Sequence, residues 1–353
     1  GNTAFLLYDT YGFPLDLTQD ILKDLNISVD LKIFDKEMEK QRKQARSSWK
    51  GSGDTKTDNL WYEIFEKYGS SEFVGYNNLK SQGSIIQIIK NNKSINEIKQ
   101  GDEAIIVTNQ TSFYGESGGQ IGDRGVIKSD SNEFKVLDTK KVLKIHLHYG
   151  KVIKGTFKEN QTVDMLVNSK KRKQIKIYHS ATHLLHASLR EILGAHVTQK
   201  GSLVSFDRLR FDFSHPSPIT DRDLNKIEDI ANKIIKRNYE VNISIIPYKE
   251  AVEKGAMALF GEKYEDEVRV VSMGEKNNKS IFSMELCGGT HVNKTGEIKD
   301  IKITKQSSVA AGIRRIEALS GNDLLNYIKD EKGILLVREQ EKENKKIKEN
   351  LEE

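Results

Sequence analysis

Apolar positions in the first 78 residues are spaced as in helices, so this part of the chain is predicted to be mostly helical. Between Asp35 and Trp49 the sequence is rich in strong helix formers and has few apolar positions, and Met38 shares one helical face with the preceding Phe34. The stretch WKGSGDTKTD that follows combines glycine, serine and aspartate, which is typical of a loop. We therefore expect helices separated by polar loops.

The pattern changes between residues 79 and 167, where short β-branched runs replace the helical spacing. Six such runs are separated by turn residues: SIIQIIK, EAIIVTNQT, GVIKS, FKVLDT, KIHLHYG and QTVDMLV. Short strands joined by turns predict a small antiparallel barrel or sandwich. The connection TSFYGESGGQIGDRG is rich in glycine but has neither the ending of a phosphate-binding loop nor the dinucleotide spacing. We interpret it as turn geometry in preference to a ligand-binding loop.

Residues 168–322 mix both patterns, and the fold class predicted for the chain is α+β. One helix is predicted from His179 to Gly194, where glycine is a suitable C-terminal cap, and a second from Leu224 to Tyr239. Strand-like runs lie between and after them: GSLVSFD, RLRFDFSH, VNISIIPY, VRVVSM, SIFSMEL and IKDIKITK. Residues 323–353 end in a highly charged segment, which predicts an exposed helix or the start of a coiled coil.

Composition adds limits on location and partners. The formal net charge of +5 is too small to indicate a nucleic-acid-binding protein by itself. The basic cluster Asn168–Lys176 adds weak support, since a charge run is usually a solvated face. The single cysteine cannot form an internal disulfide, so we expect a reducing compartment. No apolar run approaches the roughly 20 residues that a membrane span requires, so we expect a cytoplasmic protein with no membrane partner.

Candidate chemistry comes from two pairs of residues spaced four positions apart. His179 and His183 lie one turn apart on the first predicted helix of the third block, so both imidazoles can reach one ion. Cys287 and His291 enclose two glycines, which let the backbone fold tightly enough for thiolate and imidazole to converge. Together the pairs make a Cys/His₃ set suited to tetrahedral zinc.

Two alternatives concern neighbouring positions of the same helix. A zinc protease would carry glutamate directly after the first histidine, but Ser180 stands there and excludes that class. His186 follows His183 by three positions and could replace one of the ligands, although a partly buried histidine on the helix flank is its plainer interpretation. We leave His186 out of the predicted set.

The stretches HSATHLLHASLREILGAHVTQKGSLV and CGGTHV resemble the editing region of alanyl-tRNA synthetases. Further stretches resemble the same family in the right order: AFLLYDTYGFPLDLT, TSFYGESGGQIGD, RLRFDFSH, FGEKYEDEVRVV and AAGIRRIEALSG. The resemblance implies four regions: the end of a helical tRNA-recognition domain (1–78), a glycine-rich β-barrel (79–167), an editing domain (168–322) and the start of a helical linker (323–353). It also implies that the aminoacylation domain and the C-terminal dimerisation region lie outside this chain.

What the resemblance implies about function is hydrolysis of mischarged Ser-tRNA(Ala) and Gly-tRNA(Ala), with the acceptor end of tRNA(Ala) as partner. The full-length parent would ligate alanine to tRNA(Ala) using ATP. The family's zinc ligands correspond to His179, His183, Cys287 and His291, while Thr182 and Gln199 correspond to residues near the bound amino acid. Without the family, Thr182 is a hydroxyl bonded to its own helical turn and Gln199 an exposed loop residue.

Three questions stay open at this point. Four protein ligands favour a structural zinc, whereas a zinc ion that generates hydroxide requires one ligand to be absent or displaced. A free-standing or threonyl-type deacylase is one alternative function, although neither needs the helical segments at the two ends. A zinc-stabilised tRNA-binding module without catalysis is the other.

Overall fold

The computed structural model describes residues 1–11, 15–23, 27–48, 55–258, 264–275, 281–321 and 323–330. The chain divides into two compact units, Gly1–Glu63 and Ile64–Glu353. Among the helices described, none combines the length and apolar character needed to cross a membrane. The charged segment predicted at the C-terminal end follows residue 330 and therefore lies outside the residues that the structure describes.

The N-terminal region is helical, as predicted. Its helices are α1 (Asn2–Tyr11), α2 (Leu15–Lys23), α3 (Leu31–Ser48) and α4 (Thr55–Tyr68). At the start of α3 the Asp30 carboxylate accepts a hydrogen bond from the amide of Ile33 at 3.1 Å, which satisfies one of the free amides of the first turn. Phe34 is buried and its ring lies 6.2 Å from that of Phe5. The apolar face predicted for this helix therefore packs on α1.

The second region is a closed barrel, so of the two architectures predicted from its strands the barrel is correct and the sandwich is not. Its strands are β1 (Glu72–Phe73), β2 (Lys80–Lys90), β3 (Lys93–Ile95), β4 (Glu97–Lys99), β5 (Glu103–Thr108), β6 (Gln110–Thr111), β7 (Gly125–Ser129), β8 (Asn132–Val142), β9 (Ile145–Lys154), β10 (Thr156–Lys158) and β11 (Thr162–Val167). Six of them form a ring in the order β11-β7-β8-β9-β5-β2, which closes because β11 also pairs with β2. Its interior is filled by apolar side chains from the ring and the adjoining segments, including Phe134 on β8, Phe157 on β10 and Phe113 in the connection after β6.

The third region places two helices on an antiparallel sheet. The sheet has the order β12-β13-β18-β17, formed by β12 (Gln199–Val204), β13 (Leu209–Ser214), β17 (Ile301–Ala310) and β18 (Ile313–Ser320). The helices are α5 (Ser169–Leu193) and α6 (Asp221–Lys236). Their apolar faces and one face of the sheet share a single core, so this region has the predicted α+β layers.

A smaller sheet lies beside α5. It has the order β14-β15-β16, formed by β14 (Val241–Pro247), β15 (Glu267–Gly274) and β16 (Ile281–Leu286), with α7 (Tyr248–Glu253) following β14. A short 3₁₀ helix (Thr295–Ile298) follows the loop after β16, and residues 323–330 form the last helix described. The loop between β16 and this 3₁₀ helix carries Cys287 and His291.

Helix α5 positions the histidines because it is buried on all sides along its middle. Asn168 caps its first turn by accepting from the amide of Lys171 at 3.1 Å, and Gly194 caps its C-terminal end, as predicted. Every residue from His179 to Leu189 is buried. One side of the helix is apolar and contributes to the core, while the polar side carries the histidines.

Candidate metal centre

The structure brings together the four residues that the sequence predicts as zinc ligands. His179 and His183 come from α5, and Cys287 and His291 from the loop after β16. Each offers one ligand atom, and these atoms all lie within 4.8 Å of one another. His179, His183 and His291 are buried, and Cys287 is partly buried. The two pairs, more than one hundred residues apart in sequence, thus form one compact cluster.

The distances within the cluster fit a tetrahedral metal ion. Cys287 Sγ lies 3.4 Å from His179 Nε2 and 3.3 Å from His291 Nε2. Two ligand atoms about 2.0–2.3 Å from a zinc ion lie about 3.3–3.7 Å apart at the tetrahedral angle. The buried Nε2 of His183 has no hydrogen-bond partner among the described residues, which is costly for a polar atom unless something else binds it. These donors therefore suit one zinc ion.

The Nδ1 atoms of the three imidazoles contact protein oxygen atoms. The pairs are His179 with Gln120 Oε1 at 2.8 Å, His183 with Glu285 Oε2 at 3.0 Å, and His291 with Ser180 Oγ at 3.1 Å. Such partners orient the ring of a metal-binding histidine and leave Nε2 for the metal. Each ring is thus held at Nδ1, with Nε2 available for an ion.

The electrostatics favour the thiolate form of Cys287. Burial alone would raise the pKa of its thiol, but the neighbouring histidines outweigh this and hold the pKa well below the ordinary value. The amide of Gly289 also donates to Sγ at 3.4 Å. Burial lowers the pKa of His291 to about 3, which keeps its imidazole neutral. A thiolate and a neutral imidazole are the forms that bind metal ions. His183 differs, because Glu285 and Cys287 outweigh its burial and raise its pKa to about 10, so a metal ion would displace a proton from this imidazole.

Only the second of the two loop glycines is required, and for a different reason from the one expected. Neither Gly288 nor Gly289 has a positive φ, so neither is needed for a left-handed turn. A Cβ atom at Gly289 would lie 2.0 Å from His179 Cε1, whereas one at Gly288 would meet nothing within 4 Å. Glycine at position 289 therefore allows the loop to approach the ring of His179 closely.

Sequence reasoning missed Glu285 and placed His186 outside the ligand set. The Glu285 carboxylate contacts Nδ1 of His183 and Nδ1 of His186, each at 3.0 Å. Burial raises the pKa of this carboxyl, but the two histidines outweigh that effect and lower it. His186 is not part of the four-residue cluster. A partial signal for Glu285 was available, since this residue lies near the end of the predicted strand SIFSMEL, two positions before Cys287.

Gln120 was also missed, and it comes from the glycine-rich connection between β6 and β7. Gly118 and Gly119 have φ values of +58° and +82°, so turn geometry does account for part of this segment. The next residue is fully buried, and its Oε1 accepts from His179 Nδ1 at 2.8 Å and from the amide of Thr290 at 2.9 Å. The interpretation as turn geometry therefore leaves out the residue that contacts the metal centre.

A cavity of about 600 Å³ lies beside the cluster. Its wall includes His179, His183 and Cys287, together with the cationic residues Lys141, Arg190 and Arg269. Gln199 also lines it. Thr182 is not part of this wall, and its hydroxyl donates to the carbonyl of Tyr178 one turn earlier at 2.8 Å. Of the two predicted catalytic residues, the structure places only Gln199 at the cavity.

Comparisons with known proteins identify the relatives of this chain. Residues 1–171 match the family of class II (A) tRNA synthetases, and residues 268–317 match the second additional domain of threonyl and alanyl tRNA synthetases. The chain is 52% identical over 337 residues to an alanine–tRNA ligase of Rickettsia bellii, and the aligned region covers 95% of this chain and 38% of that protein. An alanine–tRNA ligase of Chelativorans sp. is 48% identical over 337 residues, covering 94% of this chain and 38% of the relative. The chain thus spans about two fifths of the length of these proteins. By sequence, the chain is similar to alanine–tRNA ligases over nearly all of its own length.

Proposed function

We propose that this chain is the editing portion of an alanyl-tRNA synthetase and hydrolyses mischarged Ser-tRNA(Ala) and Gly-tRNA(Ala) at a zinc site. The observation that carries the proposal is the Cys/His₃ cluster in the wall of a cavity of about 600 Å³. Its Cys287 and His291 lie within the part of the chain that matches the second additional domain of threonyl and alanyl tRNA synthetases.

A second site for hydrolysis has a physical reason. A pocket that accepts alanine discriminates poorly against serine, which adds a hydroxyl, and against glycine, which lacks one methyl group. Such small differences are worth only about 1–3 kcal/mol. Discrimination this weak leaves some tRNA(Ala) charged with the wrong amino acid, and a separate site can hydrolyse that ester. The cavity proposed here would therefore receive the aminoacylated 3′ end of tRNA(Ala).

The residues around the cavity suit that ligand. Lys141, Arg190 and Arg269 supply positive charge in the wall beside the carboxylates of Glu265, Glu267 and Glu285, and these cations can pair with the phosphates of a single-stranded RNA end. Arg190 is held in place, since its guanidinium donates to the carbonyls of Ala195 and Val197 at 2.8 and 2.7 Å. Gln199 would orient the amino acid or the attacking water.

The zinc ion would be held by His179, His183, Cys287 and His291. When bound, it supplies a fixed positive charge that organises the cavity beside the ester. Four protein ligands fill a tetrahedral shell, so the role assigned to the metal is to shape the site. Thr182 would act at most through its helical turn, because its hydroxyl already donates to Tyr178.

The proposal extends to the organisation of the chain and its parent. The four regions are residues 1–78, 79–167, 168–322 and 323–353, with the tRNA-recognition, barrel, editing and linker roles implied by the family. The partner is the acceptor end of tRNA(Ala). The whole protein would attach alanine to this tRNA with ATP.

The test is hydrolysis of purified Ser-tRNA(Ala), Gly-tRNA(Ala) and Ala-tRNA(Ala) by the zinc-loaded chain, compared with the variant Cys287→Ala. The wild-type chain should hydrolyse the first two esters faster than the third. Loss of the thiolate ligand should lower zinc content and reduce hydrolysis by at least about tenfold. His196→Ala is the control, because His196 lies outside the cluster in a pair with His215.

Two results would change the proposal in different ways. If the wild-type chain leaves the decay of Ser-tRNA(Ala) unchanged or protects the ester, the chain is a non-catalytic RNA-binding module. If Cys287→Ala keeps its zinc but loses hydrolysis, the cysteine takes a direct part in the chemistry instead of serving mainly as a ligand.

A further inference from the structure

The loop that carries Cys287 is held from its outer side by two residues. Arg269, on β15, donates from Nη1 to the carbonyl of Cys287 at 2.6 Å, and its own carbonyl accepts from the amide of Cys287 at 3.0 Å. The hydroxyl of Tyr76 donates to the carbonyl of Gly288 at 2.7 Å. Two consecutive carbonyls of the loop and the amide of Cys287 are therefore held, which restrains the backbone that carries Sγ.

Tyr76 and Arg269 also contact each other. The Arg269 guanidinium lies over the ring of Tyr76, 4.3 Å from its centroid, which is a favourable cation–π distance. The aromatic ring thus restrains the guanidinium that binds the Cys287 carbonyl. One tyrosine acts on both fixed carbonyls, directly at Gly288 and through Arg269 at Cys287.

Tyr76 itself is anchored on the barrel side. The ring of Phe73 meets the ring of Tyr76 edge-on at 4.8 Å and stacks on His146 at 5.6 Å. The carbonyl of the residue before it, Gly75, accepts from Arg172 Nη1 at 2.6 Å. A Cβ atom at Gly75 would lie 2.1 Å from the carbonyl oxygen of Ser112. Close contacts with the barrel therefore fix the segment that carries Tyr76, and its side chain extends from that segment to the loop of Cys287.

We propose that Tyr76 is a positioning residue of the metal centre, which holds the loop of Cys287 through the Gly288 carbonyl and the Arg269 guanidinium. The proposal rests on the zinc site of the proposed function. Tyr76 lies before residue 79, outside the region that sequence assigns to editing. The metal centre would therefore depend on a residue that precedes the six strands of the barrel ring.

The test measures release of zinc from the loaded full chain to a chromophoric chelator, together with the absorption spectrum of the cobalt-substituted chain. Tyr76→Phe keeps the ring on Arg269 and removes the hydroxyl, while Tyr76→Leu removes both. We expect Tyr76→Phe to release zinc about 2- to 10-fold faster, the range that one lost hydrogen bond produces. Tyr76→Leu should release it faster still, and the thiolate-to-cobalt band should shift in both.

The control is Tyr149→Phe, since Tyr149 is a half-buried barrel tyrosine whose ring also carries a cation, Lys140 Nζ at 5.6 Å. It should release zinc at the wild-type rate. If the Tyr76 substitutions only destabilised the fold, they would lower the thermal stability of the chain and leave the cobalt band in its wild-type position. Unchanged zinc release and an unchanged band in Tyr76→Phe would overturn the inference, even if Tyr76→Leu fails to fold.

The two proposals can fail separately. A wild-type chain that binds zinc but does not hydrolyse the mischarged esters overturns the proposed function and leaves the role of Tyr76 to the zinc-release measurement. A zinc-loaded and active wild-type chain whose Tyr76 variants behave like it overturns this inference alone.

Discussion

At the scale of single residues, the four proposed ligands could be predicted because their spacing is local. His179 and His183, like Cys287 and His291, are four positions apart, and such spacing implies convergence within one turn or loop. Gln120 could not be predicted in this way, because it approaches His179 from 59 residues away through the barrel connection. Its position depends on backbone bonds to Val204 that only the folded chain forms.

The close approach of Gly289 to His179 gives a prediction with its control in the neighbouring residue. Gly289→Ala should weaken zinc binding by about 10- to 100-fold, because its Cβ would displace the His179 ring from the cluster. Gly288→Ala should bind zinc like the wild type, since its Cβ meets nothing within 4 Å. Competition with a chelator measures both, and equal affinities in the two variants would contradict this account.

At the scale of elements, the end of helix α5 was predictable and its beginning was not. Gly194 marks the C-terminal end, but the helix begins at Ser169, before the predicted start at His179. The basic cluster was interpreted as a solvated face, yet Arg172 in its middle is 1% exposed. Its guanidinium pairs with Asp123, which is equally buried and comes from the barrel connection. A partner this far away in sequence leaves no local signal.

This ion pair joins α5 to the barrel connection and should be important for stability. Arg172→Met should lower the free energy of unfolding by about 3–5 kcal/mol, because it leaves the buried Asp123 carboxylate unpaired. Arg208→Met is the control, since Arg208 and Asp207 are half-exposed and 3.9 Å apart, and it should cost about 0–1 kcal/mol. Urea unfolding measures both variants. Equal losses of unfolding free energy would show that the buried ion pair contributes no more to stability than the exposed one.

At the scale of the whole molecule, the α+β class and the strand-rich second region followed from the residue pattern, whereas the closed barrel was predicted only through the family resemblance. A short β-branched run predicts each strand, whereas closure of the barrel depends on β11 pairing with both β7 and β2. Nothing local in Thr162–Val167 distinguishes a strand with two neighbours from an edge strand. The same limit applies to the metal centre, whose parts come from α5, the loop after β16 and the barrel connection.

X-ray absorption at the zinc edge of the loaded wild-type chain tests the central claim most directly. The account predicts one zinc per chain with one sulfur at about 2.3 Å and three nitrogens at about 2.0–2.1 Å. That shell requires Cys287 and the three histidines of the cluster to bind the same ion. A shell without sulfur, or a chain that retains no zinc after dialysis, would contradict the account.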